Sequence, residues 1–401
     1  MKIDTRKSTG KSKTGRLLGG LTAAEFLRDY WQRKPLLVRG AMAGFIEPLD
    51  KREVLDLTMR DDAESRLIFR AGNKWSLVQG PLSRRDLAAA RAGLWTVLVQ
   101  DTQHFSQRAH ELLARFNFIP HARIDDLMVS YAVPGAGVGP HVDSYDVFLV
   151  QGHGSRRWRV SAQKDLKLRD DVPLKILARF MAEDEFVLEH GDMLYLPPGY
   201  AHDGVAQTEC LTWSVGLRAP SSQDLSMALL DYLRDEIQLS GQYHDAGLAP
   251  TRSPGKIGRD MQTRFRHMLG GLAIAVTDPQ NIHACLGRYL TEPKSHVFFD
   301  GPDAACSPAA FRNNAMRAGL VLNPKSRMLY DSENFYINGE AWPIEADSVG
   351  LLRRLADTRF LSATALASCE SARAFSILHE AHASGYIMTR QANDFQQEGP
   401  A

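Results

Sequence analysis

Cysteine is scarce in this sequence. The four in 401 residues, Cys210, Cys285, Cys306 and Cys369, stand far apart with no C-x-x-C pair. That spacing argues against a zinc ribbon or a dithiol redox centre, and it fits a reducing, cytoplasmic setting. No run approaches the roughly 18 apolar residues of a membrane span, and the N-terminus lacks the apolar middle of a secretory signal. Neither sign of charge dominates, since 48 Lys and Arg face 47 Asp and Glu. Net charge therefore points to no polyanionic or polycationic partner. Internal repeats and long low-complexity tracts are also missing. What remains is a chain 44% hydrophobic and long enough for two or three domains.

The opening stretch, MKIDTRKSTGKSKTGRLLGG, carries six basic residues and one acid and reads as a solvated, flexible tail over residues 1–20. Thr22 stands three residues before Glu25, a capping box, and Pro35 stops the helix before a short apolar run. From Leu127 onward the pattern is of short strands: LMVSYAV, YDVFLVQ, RRWRV, MLYLPP and LTWSVGL, parted by Gly or Pro turns. Such repetition predicts an antiparallel barrel or jelly roll. After Pro220 the period changes, with Leu225, Leu229, Leu233 and Ile237 recurring every fourth residue behind Ser221 and Ser222. Further helices are expected over Met261 to Val276 and up to Leu290. Beyond Ser307-Pro308, a helix to about Gly319, a hairpin through RMLYDSENFYINGEAWPI, and helices over Val349 to Ala356 and Ala363 to Ala383 suggest a winged helix.

The chemistry concentrates at GPHVDSYDVF, residues 139–148. On a strand, residues two apart share a face, so His141 and Asp143 project together. His202, after the Pro-Pro-Gly turn of MLYLPPGYAH, can return on a neighbouring strand. Two imidazoles and one carboxylate form the facial triad of non-haem Fe(II) oxygenases, which leaves open positions for cosubstrate and oxygen. The chain contains its own decoy, His190-Gly191-Asp192, but there the pair flanks a turn glycine without a distant third ligand. GAGVGP fails the dinucleotide pattern at its last position and leads to a strand, so a nucleotide loop is rejected.

In GSRRWRV, alternation puts Arg156, Trp158 and Val160 on one face, and the aromatic and aliphatic members mark that face as interior. A buried Arg156 needs an anion, either a protein carboxylate or the distal carboxylate of a cosubstrate. Asp125, Asp126 and Asp146 lie beside the same strands and are open to a structural, surface or substrate-binding role.

With these residues in view, YWQRKPLLVRG, RIDDLMVSYAVPGAGVGPHVDSYDVFLVQGHGSRRWRV and GDMLYLPPGYAHDGVA resemble the JmjC-type cupin oxygenases, in particular the bacterial ribosomal oxygenases. The resemblance implies a mainly β double-stranded β-helix, or jelly-roll cupin, over residues 21–220. It also implies a helical dimerisation region over 221–305 and a winged-helix-like α+β domain over 306–401. By motif, His141, Asp143 and His202 would ligate Fe(II), and Arg156 would bind 2-oxoglutarate. The implied reaction consumes O2, converts 2-oxoglutarate to succinate and CO2, and hydroxylates the β-carbon of an arginine in large-subunit ribosomal protein sixteen. The apolar stripe after Pro220 either packs within its own chain or meets a second copy, and the resemblance implies a homodimer.

Two other readings stay open at this level. One is a JmjC hydroxylase of a histidine or asparagine in another protein, because the ligand set prepares the oxidant without selecting the side chain. The other is a non-catalytic ribosome- or RNA-binding cupin. Acids such as Asp331, Glu333, Glu340 and Glu345 do not suit a phosphate-facing wing, so direct nucleic-acid binding is not expected.

Overall fold

The structure, a computed structural model, describes residues 2–9, 12–302 and 306–389. The chain divides into two compact units, Met1–Ala219 with Lys294–Phe298, and Pro220–Pro293 with Phe299–Ala401.

Unit 1 is built on strands β1 (Asp4–Lys7), β2 (Leu36–Arg39), β3 (Ser65–Ala71), β4 (Lys74–Gln79), β5 (Leu94–Val99), β6 (Ile124–Ala132), β7 (His141–Val142), β8 (Val147–Gln151), β9 (Arg156–Ser161), β10 (Asp184–Leu188), β11 (Met193–Leu196), β12 (Ala201–Ala206) and β13 (Cys210–Leu217). They form a large sheet in the order β1-β2-β11-β8-β13-β6-β5-β3-β4 and a smaller one in the order β10-β9-β12-β7. This is the expected jelly roll, enlarged by three strands before residue 100. SRLIFRA and KWSLVQ mix polar and apolar residues and are partly exposed, which hides their strand character, whereas LWTVLV is nearly all apolar and buried. Their pairing, Ile68 opposite Leu77 and Thr96, puts them at one edge of the large sheet.

Each sheet face has its own job. Residues of one parity on the large sheet, among them Val129, Tyr131, Phe148, Val150, Tyr195, Trp213 and Val215, join Phe26, Tyr30 and Phe116 in the main core. Helices start there for local reasons: Thr22 with Glu25, Asp50 with Glu53 and Ser83 with Asp86 all form capping boxes. The opposite parity faces the small sheet, where Leu37, Val147, Leu149 and Leu194 pack with Trp158, Val160 and Leu188. Cross-strand partners share a face. Cys210 opposite Ala132, Thr212 opposite Ser130, and Ser214 opposite Leu149 and Met128 therefore also line the space between the sheets.

The N-terminal segment departs from expectation. Asp4–Lys7 pairs in parallel with β2, the Asp4 carboxylate accepts from the Tyr30 hydroxyl, and Leu17 and Leu18 are buried. Six basic residues against one acid allowed a solvated tail on composition alone. The free edge of β2 offers backbone partners that composition does not reveal.

Unit 2 begins with helix Ser222–Glu236, and Ser221 caps it with Asp224 as a capping box. The helix predicted over 261–276 is split into Arg259–Met268 and Gly270–Thr277 at a Gly-Gly step. Helix Pro279–Thr291 packs on Asn334–Ile337, with Gly287 leaving room for the Tyr336 ring. The expected hairpin is a three-stranded meander of Met328–Tyr330, Asn334–Ile337 and Glu340–Pro343. The last predicted helix is broken into Ala363–Ala367 and Ala372–Ala383, because Ser371 caps a new start through the Ala374 N–H.

Candidate metal centre

Strand β7 is only two residues long, and its His141 lies directly opposite His202 of β12. Asp143 sits just past the strand end, where its carbonyl accepts from the Gly199 N–H at 2.9 Å. The Pro-Pro-Gly turn thereby ties the segments that carry Asp143 and His202 together. The imidazole rings stand 4.2 Å apart, centroid to centroid. His141 Nε2 is 4.0 Å from Asp143 Oδ1, and His202 Nε2 is 3.6 Å from Asp143 Oδ2.

Both histidines are oriented from behind. His141 Nδ1 is 2.9 Å from the Gly139 carbonyl, and His202 Nδ1 is 2.9 Å from the Tyr200 carbonyl. A carbonyl only accepts, so each Nδ1 carries a proton and each Nε2 is turned toward Asp143. Burial and the adjacent His141 push the His202 imidazole down to about 4, so it is neutral at ordinary pH. Three convergent donors, two imidazole nitrogens and a carboxylate, are a set that could hold a divalent metal.

Arg156 lies in the same intersheet space. It is 5% exposed and shares a β9 face with Trp158 and Val160, while Arg157 and Arg159 turn outward. No protein carboxylate pairs with it among the described residues. Its Nη2 donates to Cys210 Sγ at 3.6 Å, and its Nε and the Trp158 Nε1 are buried without a hydrogen-bond partner. A buried cation without an anion fits the distal carboxylate of a dicarboxylate ligand.

The remaining sequence candidates separate clearly. His190 Nε2 meets the Phe45 carbonyl, and Asp192 accepts from Arg39 and the Gly40 N–H, so the decoy pair holds a turn. Asp146 is fully buried and accepts from the Tyr195 hydroxyl at 2.5 Å and Gln32 at 3.1 Å, an anchor between elements. Asp125 pairs with Arg218 at 3.3 Å. Asp126 is buried beside Asp101, Asp125 and Lys294, and desolvation pushes its carboxyl up to about 7. A second group, Glu64, Asp101 and His296, also converges, but Lys294 Nζ already lies 3.0 Å from Asp101 and supplies its counter-charge.

Residues 111–225 match the JmjC domain family, and residues 274–388 match the ROXA-like winged helix. The second match starts before the sequence-read boundary at 306, in keeping with the packing of helix Pro279–Thr291 on the meander. The chain is 32% identical to the ribosomal protein uL16 3-hydroxylase of Escherichia coli, over 79% of this chain and 84% of that protein. It is 31% identical to a probable ribosomal oxygenase of Haemophilus influenzae, over 84% of this chain and 86% of the other. The solved structure of the ribosomal oxygenase YcfD from E. coli in complex with cobalt and 2-oxoglutarate superposes with a TM-score of 0.76 at 30% identity, covering 92% of this chain and 99% of that one. With this identity sustained over most of the chain, it belongs to the ribosomal oxygenase family of JmjC-domain proteins.

Proposed function

We propose that this protein is an Fe(II)- and 2-oxoglutarate-dependent protein hydroxylase, with the β-carbon of an arginine in ribosomal protein uL16 as its target. His141, Asp143 and His202 would hold the metal, and Arg156 would bind the distal carboxylate of 2-oxoglutarate. One observation carries the reading: three convergent donors and an anion-less buried guanidinium occupy a single intersheet space. The bound metal supplies the chemistry through which O2 and 2-oxoglutarate yield succinate, CO2 and a hydroxylated carbon.

The chain's own part is to bind, orient and exclude water. The carbonyls of Gly139 and Tyr200 fix both imidazoles with Nε2 forward. Arg156 gives the cosubstrate one orientation, and the apolar packing of Trp158, Val160, Leu149 and Val147 keeps that space dry. Dryness strengthens the attraction between guanidinium and carboxylate.

The uL16 assignment rests on the E. coli relative. Intact-mass analysis of purified ribosomal proteins incubated with the enzyme, Fe(II), 2-oxoglutarate and O2 tests it. A single-oxygen gain on uL16, located to an arginine by fragmentation, is expected. A gain on a histidine or asparagine of a different protein would replace the substrate, and no gain on any ribosomal protein would overturn the reading.

The proposal includes a homodimer formed through the helical region and a cytoplasmic site of action beside the ribosomal substrate. Support for the dimer comes from helix Ser222–Glu236. Leu233 is buried within its own chain, whereas Leu225, Met227 and Leu230 are 37%, 48% and 51% exposed. Large apolar side chains left this exposed are costly in water and are covered at low cost by a second copy. Among the described residues, no helix is long and apolar enough to cross a membrane.

A further inference from the structure

Strand β9 carries three arginines in four positions, and their partners differ in kind. Arg157, facing outward, stands 3.7 Å from Glu185, and Arg159 stands 2.5 Å from Asp203. Arg156, facing inward, meets a thiol instead. Burial makes an anionic partner most valuable at the inward position, yet there the chain places a neutral, weakly accepting group.

The surroundings of that thiol are built to the same end. Cys210 is fully buried at the start of β13 and lies opposite Ala132 of β6. Ala206 of β12 lies opposite Arg156 itself, and its N–H donates to the Ala136 carbonyl at 2.9 Å. Ala132, Ala136, Ala206 and Cys210 form one small buried cluster. The side chains of this group are small, Leu94 and Val133 pack against them, and none carries charge. The Nη2 bond to sulfur ties one edge of the fork, and the Nε edge stays without a partner.

We infer that Cys210 is a positioning residue for cosubstrate binding: its neutral thiol aims the Arg156 guanidinium while leaving its charge available for the distal carboxylate of 2-oxoglutarate. The inference rests on the assignment of Arg156 to that carboxylate. A carboxylate at position 210 would occupy the fork as an internal anion and compete with the ligand at every encounter. An alanine would remove the acceptor and leave the guanidinium free to rotate.

The test is titration calorimetry of N-oxalylglycine, an unreactive 2-oxoglutarate analogue, into Mn(II)-loaded protein, paired with steady-state kinetics. Cys210→Asp is expected to weaken binding about 100-fold, the scale of a buried charge competing for its partner. Cys210→Ala is expected to weaken it about fivefold, the scale of one hydrogen bond. In both variants the loss should fall on the KM for 2-oxoglutarate rather than on kcat. In an Arg156→Ala background the Cys210→Asp change should add less than about twofold, because no guanidinium remains to be neutralised.

Circular dichroism and Mn(II) binding establish that each variant is folded. If Cys210→Asp does not fold, the alanine variant and its coupling to Arg156→Ala decide alone. Binding within twofold of wild type for the folded Cys210 variants, with Arg156→Ala weakened, would overturn the role of Cys210 while leaving that of Arg156 intact. Undiminished binding by Arg156→Ala would overturn both.

Discussion

The Trp158 indole lies against Gly204, so close that a Cβ on the glycine would come within 2.7 Å of Cη2 and 2.8 Å of Cζ3. The two residues are cross-strand partners on β9 and β12, with His202 two positions away on the same face. The indole sits 5.9 Å from the His202 ring and 5.9 Å from the Arg156 guanidinium carbon, between the imidazole and the cation. Gly204→Ala should displace it and cost about 1–3 kcal/mol of stability, as overpacking does. Urea unfolding of the metal-free protein checks the cost. Weaker N-oxalylglycine binding is expected alongside, because the displaced ring no longer backs Arg156.

Asp143→Ala removes the only carboxylate of the triad and leaves the His141–His202 strand pairing untouched. Iron content after anaerobic reconstitution is expected to fall at least about tenfold with the thermal midpoint of the metal-free protein little changed. Normal iron loading with full 2-oxoglutarate turnover would remove these residues from the metal site.

The Asp126 carboxyl predicts a distinct pH response. Burial, with Asp101 and Asp125 nearby, holds it up at about 7 against the counteracting Lys294, whereas in an unfolded chain it ionises near 3.9. Between those values the folded state binds the extra proton. Stability should therefore fall as pH rises through this window, by at most about 1.4 kcal/mol per unit from this group, and the slope should vanish outside it. Asp126→Asn should flatten that part of the profile, measured by denaturant unfolding from pH 4 to 8.

Leu230, half exposed on helix Ser222–Glu236, separates association from folding. Leu230→Glu should convert a dimer to monomers in light scattering with little loss of secondary structure. Leu233→Glu, at a buried position, should destabilise the chain itself by several kcal/mol. A wild-type monomer at micromolar concentration would refute the dimer.

Deleting residues 1–9 tests the ordered N-terminus. Loss of β1, its parallel ladder to β2 and the Asp4–Tyr30 contact should lower the thermal midpoint by several degrees. An unchanged midpoint would return this segment to the status of a tail.

Much of this protein follows from short-range pattern. Period-two alternation puts Arg156, Trp158 and Val160 on one face and the Thr22–Glu25 spacing starts a helix, because each depends only on the local geometry of strand or helix, whereas Asp143 lies past the end of β7 and is held by the Gly199 N–H. What sequence by itself left undetermined depends on partners distant along the chain. Whether Arg156 meets a carboxylate or a thiol is decided by the register of β13, which brings Cys210 from 54 residues away. Whether the basic N-terminus is a tail or a strand is decided by the open edge of β2, and whether Asp126 and Asp146 face substrate or anchor the fold is decided by Lys294 and Tyr195. Backbone pairing and charge compensation act across space at hydrogen-bond range, so only the tertiary structure can assign them.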